Sequence, residues 1–132
     1  MSATPADKLI PATLAKAVAQ QATEPGTTPL REGRIYSLVV QAGYTPAEIA
    51  DLVGATWNRV DLRIGLLDLC SAGQDALNAG TLPVGLAWYV SRLSLPNQRV
   101  MLARWDRGDF ADAHQASDHA AALRKLEAPT EG

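Results

Sequence analysis

The chain has 132 residues, of which 47% are hydrophobic and 20% charged, with a formal net charge of −2. This length suits one compact domain, and the apolar share excludes a wholly disordered chain. The near-neutral charge argues against a protein that coats nucleic acid by bulk electrostatics. No stretch approaches the roughly 20 uninterrupted apolar residues of a membrane span, and no basic-then-apolar signal pattern opens the chain.

In chain order, β-branched and aromatic alternation is scarce, while Ala and Leu recur at spacings of three and four. The pattern predicts an all-α protein of about seven to eight short helices. The first is expected over 5–22, capped by Thr4 with Pro5 and Asp7 in its first turn, and with Leu9, Ile10, Leu14, Ala17 and Val18 on its apolar side. Glu24-Pro25-Gly26-Thr27-Thr28 breaks it. A second helix is expected over 30–41, stopped at Gly43.

Thr45-Pro46-Ala47-Glu48 then has the form of a capping box, and its short helix ends at Gly54. Another helix begins near Thr56 or Trp57 and runs to Leu67 or Leu69. Further helices are expected over 72–79, 83–93, 96–107 and 109–126, the last started by Asp109 and Asp112.

The two helices on either side of Gly54 have the form of a helix-turn-helix. Ala50 is small where the pair would cross, and Gly54 can take the positive φ of the turn. Ile49, Val53, Val60, Ile64 and Leu67 supply the apolar contacts. Two adjacent core helices with no role in DNA binding would show the same pattern.

From Pro29 onward these segments resemble the DNA-binding region of the ParB/KorB family of partition proteins. Pro29-Leu30-Arg31-Glu32-Gly33 resembles the family's Pro-Leu-Glu-Glu-Ala helix, and Gly43-Tyr44-Thr45-Pro46-Ala47-Glu48-Ile49-Ala50 its helix-turn-helix entry. Leu66-Leu67-Asp68-Leu69 resembles its exit, and Leu77-Asn78-Ala79-Gly80-Thr81-Leu82 with Ala87, Gln98, Gly108 and Phe110 its later motifs. The resemblance covers roughly residues 29–120. It implies an N-terminal helix and linker over 1–28, a helix-turn-helix DNA-binding domain over 29–128 and a tail over 129–132. The 28 residues ahead of it hold neither the Gly-Glu-Arg-Arg box nor the Asn-x-x-Arg motif of the family's nucleotide-binding domain, so CTP-dependent clamp activity is not expected.

The implied function is sequence-specific binding of double-stranded DNA in the major groove, as a plasmid or mobile-element transcriptional regulator or a reduced partition protein. The implied location is the bacterial cytoplasm, on nucleoid or plasmid. Thr56, Trp57, Asn58, Asp61 and Leu62 are the candidates for the groove-facing surface. Asn58 can pair with adenine and Asp61 can accept from cytosine. Arg59 and Arg63, one turn apart, can reach phosphate or guanine. Thr45 and its helix N-terminus can meet a phosphate, and Arg31 and Arg34 can add others.

Each has an alternative. Trp57 can plug against the preceding helix, Asp61 can pair locally with Arg59 or Arg63, and the outlying arginines, including Arg92, Arg99, Arg104 and Arg107, can lie on a solvated face. The surfaces available for a homodimer are the N-terminal helix (Leu9, Ile10, Leu14, Val18) and the last helix (Phe110, Ala113, Ala120, Leu123); core packing explains both equally well and is the preferred reading for the last helix. The competing function is a protein-interaction module on the same helical scaffold, with weak or no DNA binding.

Enzymatic chemistry is not expected, nor a cofactor or metal. Cys70 is the sole cysteine, which excludes an intramolecular disulfide, and it reads as a small buried residue. His114 and His119 are five apart, off the i,i+4 spacing of helical metal pairs. No phosphate loop, dinucleotide fingerprint or nucleophile elbow is present.

Overall fold

The computed structural model of the chain describes residues 8–127. Among them are eight α-helices and no strand: α1 (Ala12–Gln20), α2 (Pro29–Gln41), α3 (Pro46–Val53), α4 (Trp57–Gly65), α5 (Ser71–Ala79), α6 (Val84–Ser91), α7 (Leu95–Asp106) and α8 (Ala113–Glu127). Short 3-10 turns follow α1 at Gln21–Thr23 and α4 at Leu66–Asp68. The all-α expectation and the number of elements both hold. The helices fall into two compact units, Met1–Leu67 and Asp68–Gly132.

The first unit is built around α2. Thr28 caps it by accepting from the Arg31 amide at 3.2 Å, and Pro29 fills the first position, where its missing N–H costs nothing. Leu30, Glu32, Ile35, Tyr36 and Val39 form the inward stripe. α3 and α4 pack against it and against each other. Ile49, Ala50 and Val60 join Ile35, Tyr36 and Val39 in one core, where each fully buried aliphatic side chain contributes about 1.5–3 kcal/mol. The α2–α4 approach is very close. A Cβ on Gly33 would stand 2.9 Å from the carbonyl carbon of Arg63 and closer still to its oxygen.

The start of α1 and its inward face both differ from expectation. Thr4, Pro5 and Asp7 lie outside the described residues, and the helix begins at Ala12 after an extended Pro11. Lys8, Leu9 and Ile10 form a strap instead. The Leu9 amide donates to the Ala42 carbonyl at 2.7 Å, and the Tyr44 hydroxyl donates to the Ile10 carbonyl at 2.8 Å. These bonds commit the backbone of the strap to the α2–α3 corner.

The inward face of α1 is Ala15 and Ala19, continued by Ala22, with only Val18 and Ile10 of the expected stripe packed against the core. Leu9 and Leu14 point to solvent, 79% and 47% exposed, and Ala17 is exposed as well. Methyl groups let α1 lie close to α2 and α3, and leucines at those positions would hold it away.

The second unit gathers α5–α8. α6 is buried through Leu86, Ala87 and Val90, and α8 packs on it with Ala116 and Ala120 fully buried. The apolar side of α8 is therefore core, and Phe110, Ala113 and Leu123 are half-buried. α8 starts at Ala113, because Asp112, not Asp109, accepts the Gln115 amide at 2.8 Å. Asp109 is drawn to Arg107 at 2.8 Å and Arg104 at 3.4 Å.

Buried Gln98 ties three backbone groups together. It accepts from the Cys70 amide at 2.8 Å and donates to the Asp68 and Leu93 carbonyls at 3.1 Å each. Cys70 itself is partly exposed rather than buried, preceding α5 as its N-cap residue. At the far end of α8, the Glu127 carboxylate accepts from the Ser94 amide and hydroxyl and from the Asn97 amide group, satisfying the start of α7. The tail at 129–132 lies outside the described residues.

Candidate nucleic-acid interface

α3 and α4 form the helix-turn-helix, and the local chemistry is the one the sequence predicts. Thr45 accepts from the Glu48 amide at 3.1 Å while the Glu48 carboxylate accepts from the Thr45 amide at 2.9 Å, a complete capping box. Gly54 closes α3 at φ +72°, a conformation that an L side chain adopts only with strain. Thr56 then caps α4 by accepting from the Arg59 amide at 3.1 Å. Ala50 and Val60 are buried at the crossing.

With Val60 turned inward, the first two turns of α4 present Thr56, Trp57, Asn58, Arg59 and Asp61 to solvent, with Leu62 half-buried beside them. Trp57 is 59% exposed and does not plug against α3.

Arg59 and Arg63 lie on the flank of α4 that faces α2, where both hold Glu32. Arg59 donates through Nε to Oε2 at 2.9 Å and through Nη2 to Oε1 at 3.1 Å. Arg63 Nε donates to Oε1 at 3.1 Å, and the Tyr36 hydroxyl donates to Oε2 at 2.9 Å. Glu32 is only 4% exposed. Burial alone would raise its pKa, but hydrogen bonds from Arg59, Tyr36 and Arg63 outweigh that and hold it below the usual carboxylate value. Burial and the same carboxylate push the Tyr36 hydroxyl up to about 12.

The expected ion pair of Asp61 with Arg59 or Arg63 is therefore not formed. Both guanidiniums turn to the buried acid on α2 instead. Sequence reasoning missed Glu32 and Tyr36 as a network. The signal was present: Glu32 falls on the same stripe as Tyr36 and Val39 at i, i+4 and i+7, so an acid is placed where a core residue belongs.

Thr45 is exposed, but the start of α3 already carries an anion. Glu48 Oε1 accepts from Lys8 Nζ at 2.6 Å, and that bond, with the Thr45 amide, lowers its pKa. Of the outlying arginines, Arg92 pairs with Asp68 at 2.7 Å, and Arg104 and Arg107 both hold Asp109. Arg31 and Arg34 on α2 and Arg99 on α7 are exposed and form no ion pair among the described residues.

No family model matches the sequence, and no curated protein matches it. Among solved structures, the chain is similar to the DNA-binding domain of the chromosome-partitioning protein ParB, determined in complex with the centromeric parS site. The TM-score is 0.75 at 17% identity, and the match covers 93% of this chain and 88% of that one. The likeness at this identity is one of fold, and it extends over nearly the whole chain: this protein has the all-α, helix-turn-helix fold of the ParB DNA-binding domain.

Proposed function

We propose that the chain binds double-stranded DNA by placing α4 in the major groove, as a regulator of a plasmid or mobile element or as a reduced partition protein. The observation that carries this reading is the exposed first half of α4. It holds Asn58 and Asp61, side chains suited to base edges, on a helix locked by two caps, a left-handed glycine and a buried Val60. Trp57 and Leu62 offer apolar contact to thymine methyls, and Thr56 sits at the entry. Arg31 and Arg34 serve as phosphate contacts from α2, and Thr45 as a hydroxyl contact beside them.

A symmetric pair of such helices, one duplex turn apart, would read a palindrome. Exposed Leu9 and Leu14 suit a dimer contact better than α8, whose alanine face is already used within its own unit.

The test is selection of bound fragments from random duplexes, followed by a titration of the enriched sequence against salt. Enrichment of one sequence with steep loss of affinity at higher salt supports the reading. Failure to retain any duplex at low salt refutes it. One observation favours a protein-interaction module instead: the two arginines on α4 are already neutralised in part by Glu32, and a large aromatic, Trp57, stands exposed beside them.

A further inference from the structure

Glu32 belongs to α2, outside the helix-turn-helix, yet it touches two side chains of α4 at once. A carboxylate has about four lone-pair sites, and here all four are taken: Oε2 by Arg59 Nε and the Tyr36 hydroxyl, Oε1 by Arg59 Nη2 and Arg63 Nε. A guanidinium has five N–H donors in a rigid plane. Glu32 takes the Nε–H and one Nη2 hydrogen of Arg59. The donors left are the two on Nη1 and one on Nη2, which form the end of the fork.

The Arg59 side chain is 53% exposed and the Arg63 side chain only 17%, so of the two guanidiniums Arg59 is the one with surface left for a partner. We propose that Glu32 is a positioning residue for DNA recognition: it fixes the plane of the Arg59 guanidinium so that Arg59 meets DNA end-on, in one orientation, through the donors that Glu32 leaves free.

The inference rests on the DNA-binding reading and gives it a specificity device. An unrestrained arginine follows whichever phosphate is nearest. One held at two points keeps a single direction, so a partner fits only if it brings an acceptor pair, such as O6 and N7 of guanine, into that direction. The network also limits charge. With Glu32 ionised, the carboxylate and the two guanidiniums together carry a single net positive charge, which weakens attraction to phosphates of any sequence.

Removing the carboxylate charge should therefore act in opposite directions on the two kinds of binding. Glu32→Gln releases both arginines, raises the local charge and presents an amide donor to donors. Affinity for a mixed-sequence duplex should hold or rise a few-fold, and its salt dependence should steepen by about one phosphate equivalent. Preference for the selected sequence should fall about ten-fold. A loss of structure would weaken both kinds of binding together.

The experiment uses the full chain in three forms, wild type, Glu32→Gln and Arg59→Lys, with the duplex enriched from the random pool and a mixed-sequence duplex as probes. Side-chain 1H–15N spectra of the free protein report the Arg59 Nε–H directly, without DNA. A slowly exchanging signal in the wild type that is lost in Glu32→Gln is the expected result. A freely exchanging wild-type signal overturns the proposal. Should Glu32→Gln fail to fold, Arg59→Lys keeps the charge but not the fork, and it should lose discrimination with an unchanged salt slope. Discrimination within two-fold of wild type in a folded variant overturns the positioning role while leaving DNA binding intact. A wild type that retains no duplex refutes the functional reading first, before any variant is made.

Discussion

Gly33 offers the sharpest test of how α4 is seated. It lies mid-helix in α2, where alanine is ordinarily the better residue by about 1 kcal/mol. Its φ is helical, so no backbone strain accompanies the change. The obstacle is space: an added Cβ would come within 2.9 Å of the Arg63 carbonyl carbon, against the ordinary carbon–carbon contact of roughly 3.5–4 Å. The atoms met are backbone and cannot rotate away, so α2 and α4 must separate by roughly 1 Å.

That separation carries the Arg–Glu32 bonds, now 2.9–3.1 Å, beyond good hydrogen-bond range. Overpacking costs about 1–3 kcal/mol, and one weakened charge-assisted bond adds about 1.5–3 kcal/mol. After the helix-propensity gain, Gly33→Ala should destabilise by about 1.5–5 kcal/mol, a fall in Tm of roughly 5 °C or more. Gly85 on α6 is the control, because a Cβ there meets nothing within 4 Å. Gly85→Ala should stabilise by about 0.4–1 kcal/mol. Thermal unfolding followed by circular dichroism, with urea midpoints alongside, reads both variants. A Gly33→Ala Tm at or above wild type would refute the close-approach argument.

Three further outcomes are expected. Stability should be flat through neutral pH and fall on both sides. Glu32 is lowered from 4.5, so its contribution is present above that value and lost as pH drops through its folded pKa; Tyr36 is raised from 10.0 to about 12, so its contribution is present below 10.0 and lost as pH rises towards 12. Glu48, Asp109 and Glu127 share the acid limb, so urea midpoints of Glu32→Gln against pH should show a shallower acid fall, and Tyr36→Phe a shallower alkaline one; unchanged slopes would disprove the assignment. In the second unit, Gln98→Ala strands one buried and two part-buried backbone groups and should cost about 2–4 kcal/mol in chemical denaturation, while a change below 1 kcal/mol would show that the hub is dispensable. On α4, exposed Asn58→Ala should leave Tm unchanged but cost about 1–3 kcal/mol in affinity for the selected duplex, and equal affinity would remove Asn58 from the interface.

Much of the first unit was legible because its signals are local. The capping box of Thr45 and Glu48 and the glycine that ends α3 each act within four residues, so their chemistry can be read without knowing what packs nearby. The all-α class and the helix count followed from the same punctuation. The errors arose where a distant partner decides. The large apolar residues of α1 suggested its inward face, but the crossing distance selected the alanines. Asp109 had the form of a helix start, yet two arginines at the end of α7 claimed it. Glu32 was passed over for the same reason, since its role depends on cations that lie 27 and 31 residues later.

The alanine face of α1 inverts the usual expectation about tolerance to mutation. Ala15, Ala19 and Ala22 carry one methyl each, and all are buried against the strap-bound corner or the helices beside it. In a saturation scan read by folding of the single protomer, and not by dimerisation or DNA affinity, the bulky Leu9 and Leu14 should accept almost any residue, while these three small positions should reject everything larger than serine. In this segment, sensitivity to change tracks how little room a residue has, and the shortest side chains set the thickness of the whole first unit.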